Sequence, residues 1–172
     1  TLCLIGDYDA EKGFTRQTAQ AIDYGLDFYA PQTLETPDGR RIMIAWMQNW
    51  DTVGAKPYQS RWFGQMTLPR ELALKDGRLI QNPVRELEAY RKARVVHQNI
   101  PVCGEINLPG IRGRILDMTV TIRPTGPEQY RWFRVRVAKD GEHATIIRYR
   151  PDQGTLKLDR IRSGLTRDIV HT

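Results

Sequence analysis

The sequence predicts an all-β protein with one short helix near its middle. Three observations carry this. Apolar residues recur at every second position over much of the chain. Gly, Pro and Asp turn signals separate these runs. Only one segment shows helical spacing.

The elements follow in order. Thr1-Leu2-Cys3-Leu4-Ile5-Gly6 reads as a strand beginning at the first residue, with no basic leader and no cleavage site. The first residue is not Met, so the expectation is a chain whose true beginning lies further upstream. Ile42 to Met47 is an apolar run of strand length, preceded by the turn signal Thr36-Pro37-Asp38-Gly39. Asp76-Gly77 is a hairpin signal between Glu71-Leu72-Ala73-Leu74 and Arg78-Leu79-Ile80. Asn82-Pro83 then supplies an N-cap and a first-turn proline. Val84, Leu87 and Tyr90 follow at three-residue spacing, with Arg91 and Lys92 at the end where cations suit a helix dipole. A helix is therefore expected over residues 83 to about 94, as a linker between two β regions.

Beyond residue 95 the alternation returns. Leu116, Met118, Val120 and Ile122 share one face, as do Phe133, Val135 and Val137, and then Leu156 and Leu158. The turns are Pro124-Thr125-Gly126-Pro127, Asp140-Gly141 and Pro151-Asp152-Gln153-Gly154. Half-buried strands joined by such turns predict an antiparallel sandwich. So few strands would leave an open edge, so the carboxyl end is expected to be incomplete as well.

Composition narrows the function classes. The chain has 172 residues, 40% of them apolar and 27% charged, as in an ordinary globular domain or two small ones. No apolar stretch approaches the ~20 residues of a membrane-spanning helix. Cys3 and Cys103 are too few and too far apart for a disulfide framework, and they read as two buried thiols in a reducing compartment. No metal-ligand spacing occurs, and His97, His143 and His171 show no partner spacing. The net charge is +6, but the cations are scattered among acids, which argues against a nucleic-acid partner. Arg91-Lys92-Ala93-Arg94 is the densest basic cluster, and it reads as a solvated face.

Four segments are more informative. They are Asp27-Phe28-Tyr29-Ala30-Pro31-Gln32, Ile44-Ala45-Trp46-Met47-Gln48-Asn49-Trp50, Gly64-Gln65-Met66-Thr67-Leu68-Pro69-Arg70-Glu71 after Trp62-Phe63, and Leu79-Ile80-Gln81-Asn82-Pro83-Val84-Arg85-Glu86-Leu87. Sugars present apolar C–H faces and many hydroxyls, which aromatic rings, carboxylates and amides bind. Taken singly, Trp46, Trp50, Trp62 and Phe63 read as core residues. Their clustering at strand ends and loops favours a site.

These blocks, in this order and spacing, resemble glycoside hydrolase family 32, which includes invertases, levanases, inulinases and bacterial sucrose-6-phosphate hydrolases. Gly6-Asp7-Tyr8-Asp9 with Phe14 resembles the preceding strand pair. Leu156-Lys157-Leu158-Asp159-Arg160 with Ser163-Gly164 resembles a strand of the family's C-terminal sandwich. The style is most similar to the bacterial sucrose-6-phosphate hydrolase and sucrase group. The resemblance implies that residues 1–80 end a five-bladed β-propeller, that 81–95 form a linker helix, and that 96–172 form part of a C-terminal β-sandwich.

It also implies a retaining mechanism, with a nucleophilic carboxylate and an acid/base carboxylate about 5 Å apart. In the family these lie in asparagine-aspartate-proline and glutamate-cysteine motifs, and a further aspartate in arginine-aspartate-proline holds the sugar. None of these strings occurs here, so no catalytic residue is assigned and the chain alone is expected to be inactive. What the resemblance leaves is one wall of a fructose subsite, with Trp46 as its best candidate, then Tyr29 and Asp27. Gln48, Asn49, Gln65 and Arg70 are expected to hold loops, and Glu86 and Glu88 to be solvated. No metal or cofactor is implied, the partner is a small sugar, and no membrane partner is expected. A cytoplasmic location follows from the group resembled. Two other readings are a β-sandwich module that binds sugars or proteins, resting on residues 95–172 alone, and a polyanion binder, resting on the net charge.

Overall fold

A computed structural model describes residues 1–25, 27–48, 64–128 and 130–164. The chain divides into two compact units, Thr1–Tyr90 and Arg91–Thr172. Among the described residues every strand pairing is antiparallel.

The first unit holds β1 (Leu2–Asp9) and β2 (Gly13–Ala21) as a two-stranded sheet. It also holds a four-stranded sheet of β3 (Tyr29–Glu35), β4 (Arg41–Trp46), β5 (Arg70–Lys75) and β6 (Arg78–Pro83), in that order. The turn chemistry explains the hairpins. Thr36 and Arg40 close the β3–β4 turn through the Thr36 amide and the Arg40 carbonyl at 2.8 Å. Asp76 and Gly77 both have positive φ, +50° and +69°, the two-residue turn whose twist matches a hairpin.

The core lies where β4 runs through the sheet. Ile22, Phe28, Met43 and Ala45 are buried together, with Cys3, Leu72 and Leu79 packed against them. Met43 is 1% exposed and Ala45 is fully enclosed. Side chains tie the small sheet to the large one. The Gln20 amide donates to the Leu79 carbonyl at 2.9 Å and accepts from the Leu79 amide at 3.0 Å. Gln81 donates to the Ile22 carbonyl at 2.8 Å. Arg70 ion-pairs with Asp23 at 2.7 Å, and its guanidinium lies 4.9 Å over the Phe28 ring.

The helix differs from expectation. It is a six-residue 3-10 helix, Arg85–Tyr90, with no fully buried residue, while residues 81–83 belong to β6. An isolated helix this short gains too little from its own hydrogen bonds to propagate, and Arg91 and Lys92 fall beyond its end. Glu86 is not merely solvated: it pairs with Arg40 at 2.6 Å.

The second unit contains a three-stranded sheet of β7 (Phe133–Val137), β8 (Thr145–Arg150) and β9 (Thr155–Asp159). Residues 116–123 are not a strand, because no described neighbour supplies them with a ladder. Their alternation still has a structural counterpart. Met118, Val120 and Ile122 line a groove of about 300 Å³ with Phe133, Val135, Ile147, Tyr149 and Leu156. Cys3 is only half-buried and Cys103 is exposed, contrary to the expectation that both are buried. His143 accepts a role in a turn: its Nδ1 lies 3.0 Å from Asp140, whose carboxylate also takes the Glu142 and His143 amides. These bonds hold the Asp140 carboxyl down at about 2. His97 lies 3.0 Å from the Pro109 carbonyl, and His171 is outside the described residues.

Candidate functional site

Tyr29 and Trp46 are register partners at one end of the β3–β4 pair. Their rings meet edge to face, with centroids 6.1 Å apart and planes at 72°, an arrangement that aligns a ring edge with the negative face of its neighbour. The meeting depends on an irregularity. Glu35, Leu34, Thr33 and Gln32 pair in regular steps with Arg41, Ile42, Met43 and Ile44. Continued for two more steps, that register would set Ala30 opposite Trp46. Instead β3 carries one extra residue, and Ala30 sits at φ +46°. A bulge of this kind re-aims the side chains beyond it. Here it delivers Tyr29 to the face that carries Trp46.

The other flank of Trp46 is built by residues 64–67. Trp46 bridges to Met66, the Met47 amide donates to the Gln65 carbonyl at 2.6 Å, and the Thr67 amide donates to the Ala45 carbonyl at 2.8 Å. The register between β4 and this flank shifts between Met43–Arg70 and Trp46–Met66. The Thr67 hydroxyl, in a residue 7% exposed, accepts the Ala45 amide at 3.1 Å. It thereby satisfies a buried donor at the shift. Gln48 is 3% exposed just beyond Trp46. Gly64 has φ +83°, and a Cβ there would fall 2.7 Å from the Trp46 Nε1.

The structure thus brings Tyr29 and Trp46 together. Asp27 is half-buried, two residues before Tyr29 and beside the core residue Phe28, and is not part of the ring contact. Tyr29 is 39% exposed, open enough to meet a ligand. Asn49, Trp50, Trp62 and Phe63 lie outside the described residues. Gly64 and Thr67 escaped the sequence reading as site-builders. The one available signal was the glycine directly after Trp62-Phe63.

A second cluster was also missed. Arg40 pairs with Asp38 at 2.7 Å, Glu71 at 2.9 Å and Glu86 at 2.6 Å, and Arg85 pairs with Glu71 at 2.7 Å. Arg85, through its side chain and its backbone amide, and then Arg40 hold the Glu71 carboxyl down at about 2. Arg40 lowers Glu86, and the Thr36 hydroxyl and Arg40 lower Asp38. A general acid needs a raised pKa. These carboxylates are shifted the other way, so they fasten the 3-10 helix and the β3–β4 turn to β5 rather than move protons. Among the described residues no group of three or more His, Cys, Asp or Glu is placed to hold a metal. No helix among them is long and apolar enough to cross a membrane.

Comparison with known proteins shows what this unit is similar to. Residues 1–83 match the profile described as "Glycosyl hydrolases family 32 N-terminal domain". Among curated relatives, a "Probable sucrose-6-phosphate hydrolase" of Psychromonas ingrahamii is 51% identical over 77 residues, 45% of this chain and 14% of the relative. A "Levanase" of a Bacillus species is 33% identical over 175 aligned residues, 94% of this chain and 19% of the relative. This chain therefore spans less than a fifth of the length of either. The solved Bombyx mori GH32 beta-fructofuranosidase shares the fold, with a TM-score of 0.62 at 24% identity over 91% of this chain and 32% of that one.

Proposed function

We propose that the chain is part of a retaining glycosidase that cleaves terminal β-fructofuranosyl bonds in sucrose, sucrose 6-phosphate or a fructan. In this reading residues 1–80 close a five-bladed β-propeller, 81–95 link the domains and 96–172 form part of a β-sandwich. Trp46 and Tyr29, with Asp27 beside them, form one wall of the fructosyl subsite. The nucleophile, the transition-state stabiliser and the acid/base belong to sequence upstream of Thr1. The reading requires no metal or cofactor, its location is cytoplasmic, and the chain alone is inactive.

The observation that carries it is the Tyr29–Trp46 corner, an exposed tyrosine in edge-to-face contact with a tryptophan where β3 begins and β4 ends. It lies inside the segment matched to family 32. The relatives named for sucrose 6-phosphate and levan hydrolysis define the substrates to try.

The experiment compares the full-length parent protein with the 172-residue chain on sucrose, sucrose 6-phosphate and levan. The parent releases fructose or fructose 6-phosphate from at least one of them, and the chain releases neither. Replacing Trp46 with Ala in the parent raises KM for the preferred substrate. Cleavage by the isolated chain, or a parent inert on all three, overturns the reading.

A further inference from the structure

We propose that Gly64 is a positioning residue for Trp46, holding the indole in the orientation that the fructosyl subsite uses. This rests on the function proposed above and deepens it.

Three constraints meet on the Trp46 side chain. On the β3 side stands the Tyr29 ring, brought there by the bulge at Ala30. Behind it, the strand backbone is fixed by the bridge to Met66 and by the Met47–Gln65 and Thr67–Ala45 hydrogen bonds. On the β5 side the indole edge lies against the Gly64 backbone. A Cβ at Gly64 would fall 2.7 Å from Nε1, 3.6 Å from Cε2 and 3.5 Å from the Gln48 Oε1. The first of these is closer than a real Cβ approaches another atom, and Gln48 is too buried to swing away freely. Any side chain at position 64 therefore displaces the indole.

Two properties of Gly64 are used, and they are separable. Its φ of +83° suits glycine on conformational grounds alone. Its missing side chain makes room for the ring. Asparagine tolerates positive φ better than alanine does, yet it carries a Cβ. If backbone conformation were the whole role, Gly64→Asn would be milder than Gly64→Ala. If room for the indole is the role, the two are comparably harmful.

The test uses the full-length parent with G64A, G64N, W46F and the double variant G64A/W46F. Thermal melts establish that each is folded. A misplaced binding group costs on the order of tenfold to a hundredfold in kcat/KM, so G64A and G64N are expected to lose about that much. In the W46F background the smaller ring clears position 64, and G64A is expected to cost less than about threefold, an interaction that a double-mutant cycle reads directly. The same loss from G64A in both backgrounds, or a G64N variant near wild type, overturns the proposal.

An independent readout is the indole Nε1–H resonance of Trp46, assigned by its disappearance in W46F. G64A is expected to shift it, and an unmoved resonance overturns the positioning role. That readout needs no activity, so a parent that cleaves none of the sugars would sink the proposed function while the resonance still decides the role of Gly64.

Discussion

Tyr29 stands opposite Trp46 because β3 carries one residue more than β4 between their register points, with Ala30 at φ +46° as the extra residue. A side chain's face on a strand is set by parity, so one added residue moves every position beyond it to the other face. The ring pair is thus a consequence of backbone register and not of aromatic attraction alone.

That relationship makes Ala30 informative. Ala30→Gly removes the steric cost of a left-handed residue and is expected to hold or raise stability, by up to roughly 1 kcal/mol. Ala30→Val places a branched side chain where positive φ is least tolerated, and is expected to cost roughly 1–3 kcal/mol. Urea unfolding of the two variants checks the ranking. A valine variant as stable as the glycine one would mean that β3 has re-registered without the bulge.

Thr67 offers a second measurement. Its hydroxyl accepts the Ala45 amide in a buried setting. Thr67→Val keeps the shape and removes the acceptor, leaving a buried N–H unpaired at a cost of roughly 1–3 kcal/mol. Thr67→Ser retains the acceptor and is expected to cost less. Amide exchange at Ala45 reads the bond itself and should accelerate in Thr67→Val alone.

Met43 reports on the core. It is almost wholly enclosed beside Ile22, Phe28 and Ala45. Met43→Ala is expected to cost about 2–5 kcal/mol, and Met43→Leu under about 1.5 kcal/mol because volume is conserved. Denaturation midpoints at constant slope would distinguish the two.

Acid should loosen the Arg40–Glu71–Arg85 cluster. The folded protein holds Glu71 at about 2, below its ordinary 4.5. A depressed folded value means that the unfolded chain takes up the proton first as pH falls. Its stabilising contribution is therefore complete above about 4.5 and disappears as pH drops toward 2. Melting curves of wild type and Glu71→Gln between pH 6 and pH 3 test this, and their gap should narrow as pH falls. A gap independent of pH would show that the carboxylate charge is not what matters there. Asp140, held at about 2 by the turn amides, gives the second unit a dependence of the same sign.

Local chemistry was legible in the sequence. The apolar run Ile42–Met47 became β4, the alternation along Phe133–Val137 became β7, and Asp76-Gly77 became a hairpin turn, because run length, side-chain parity and turn dihedrals are decided within a few residues. The helix over 83–94 was overestimated for a related reason. Spacing and caps describe a helix that could form, while its length depends on apolar surface to bury, and residues 85–90 bury none fully. Residues 116–123 show the same limit in a strand: alternation aimed Met118, Val120 and Ile122 at the β7–β9 sheet, yet strand formation needs a partner's ladder.

By itself, then, the sequence determined the β character, the turns and the blocks by which the chain resembles glycoside hydrolase family 32. Tertiary structure alone decided which residues share a site. Tyr29 meets Trp46 through a one-residue shift in pairing, Gly64 reaches the same indole from eighteen positions away, and Arg40 gathers Glu71 and Glu86 across three elements. Each of these depends on separations of 15 residues or more, where register and chain path, which no local pattern encodes, set the distances.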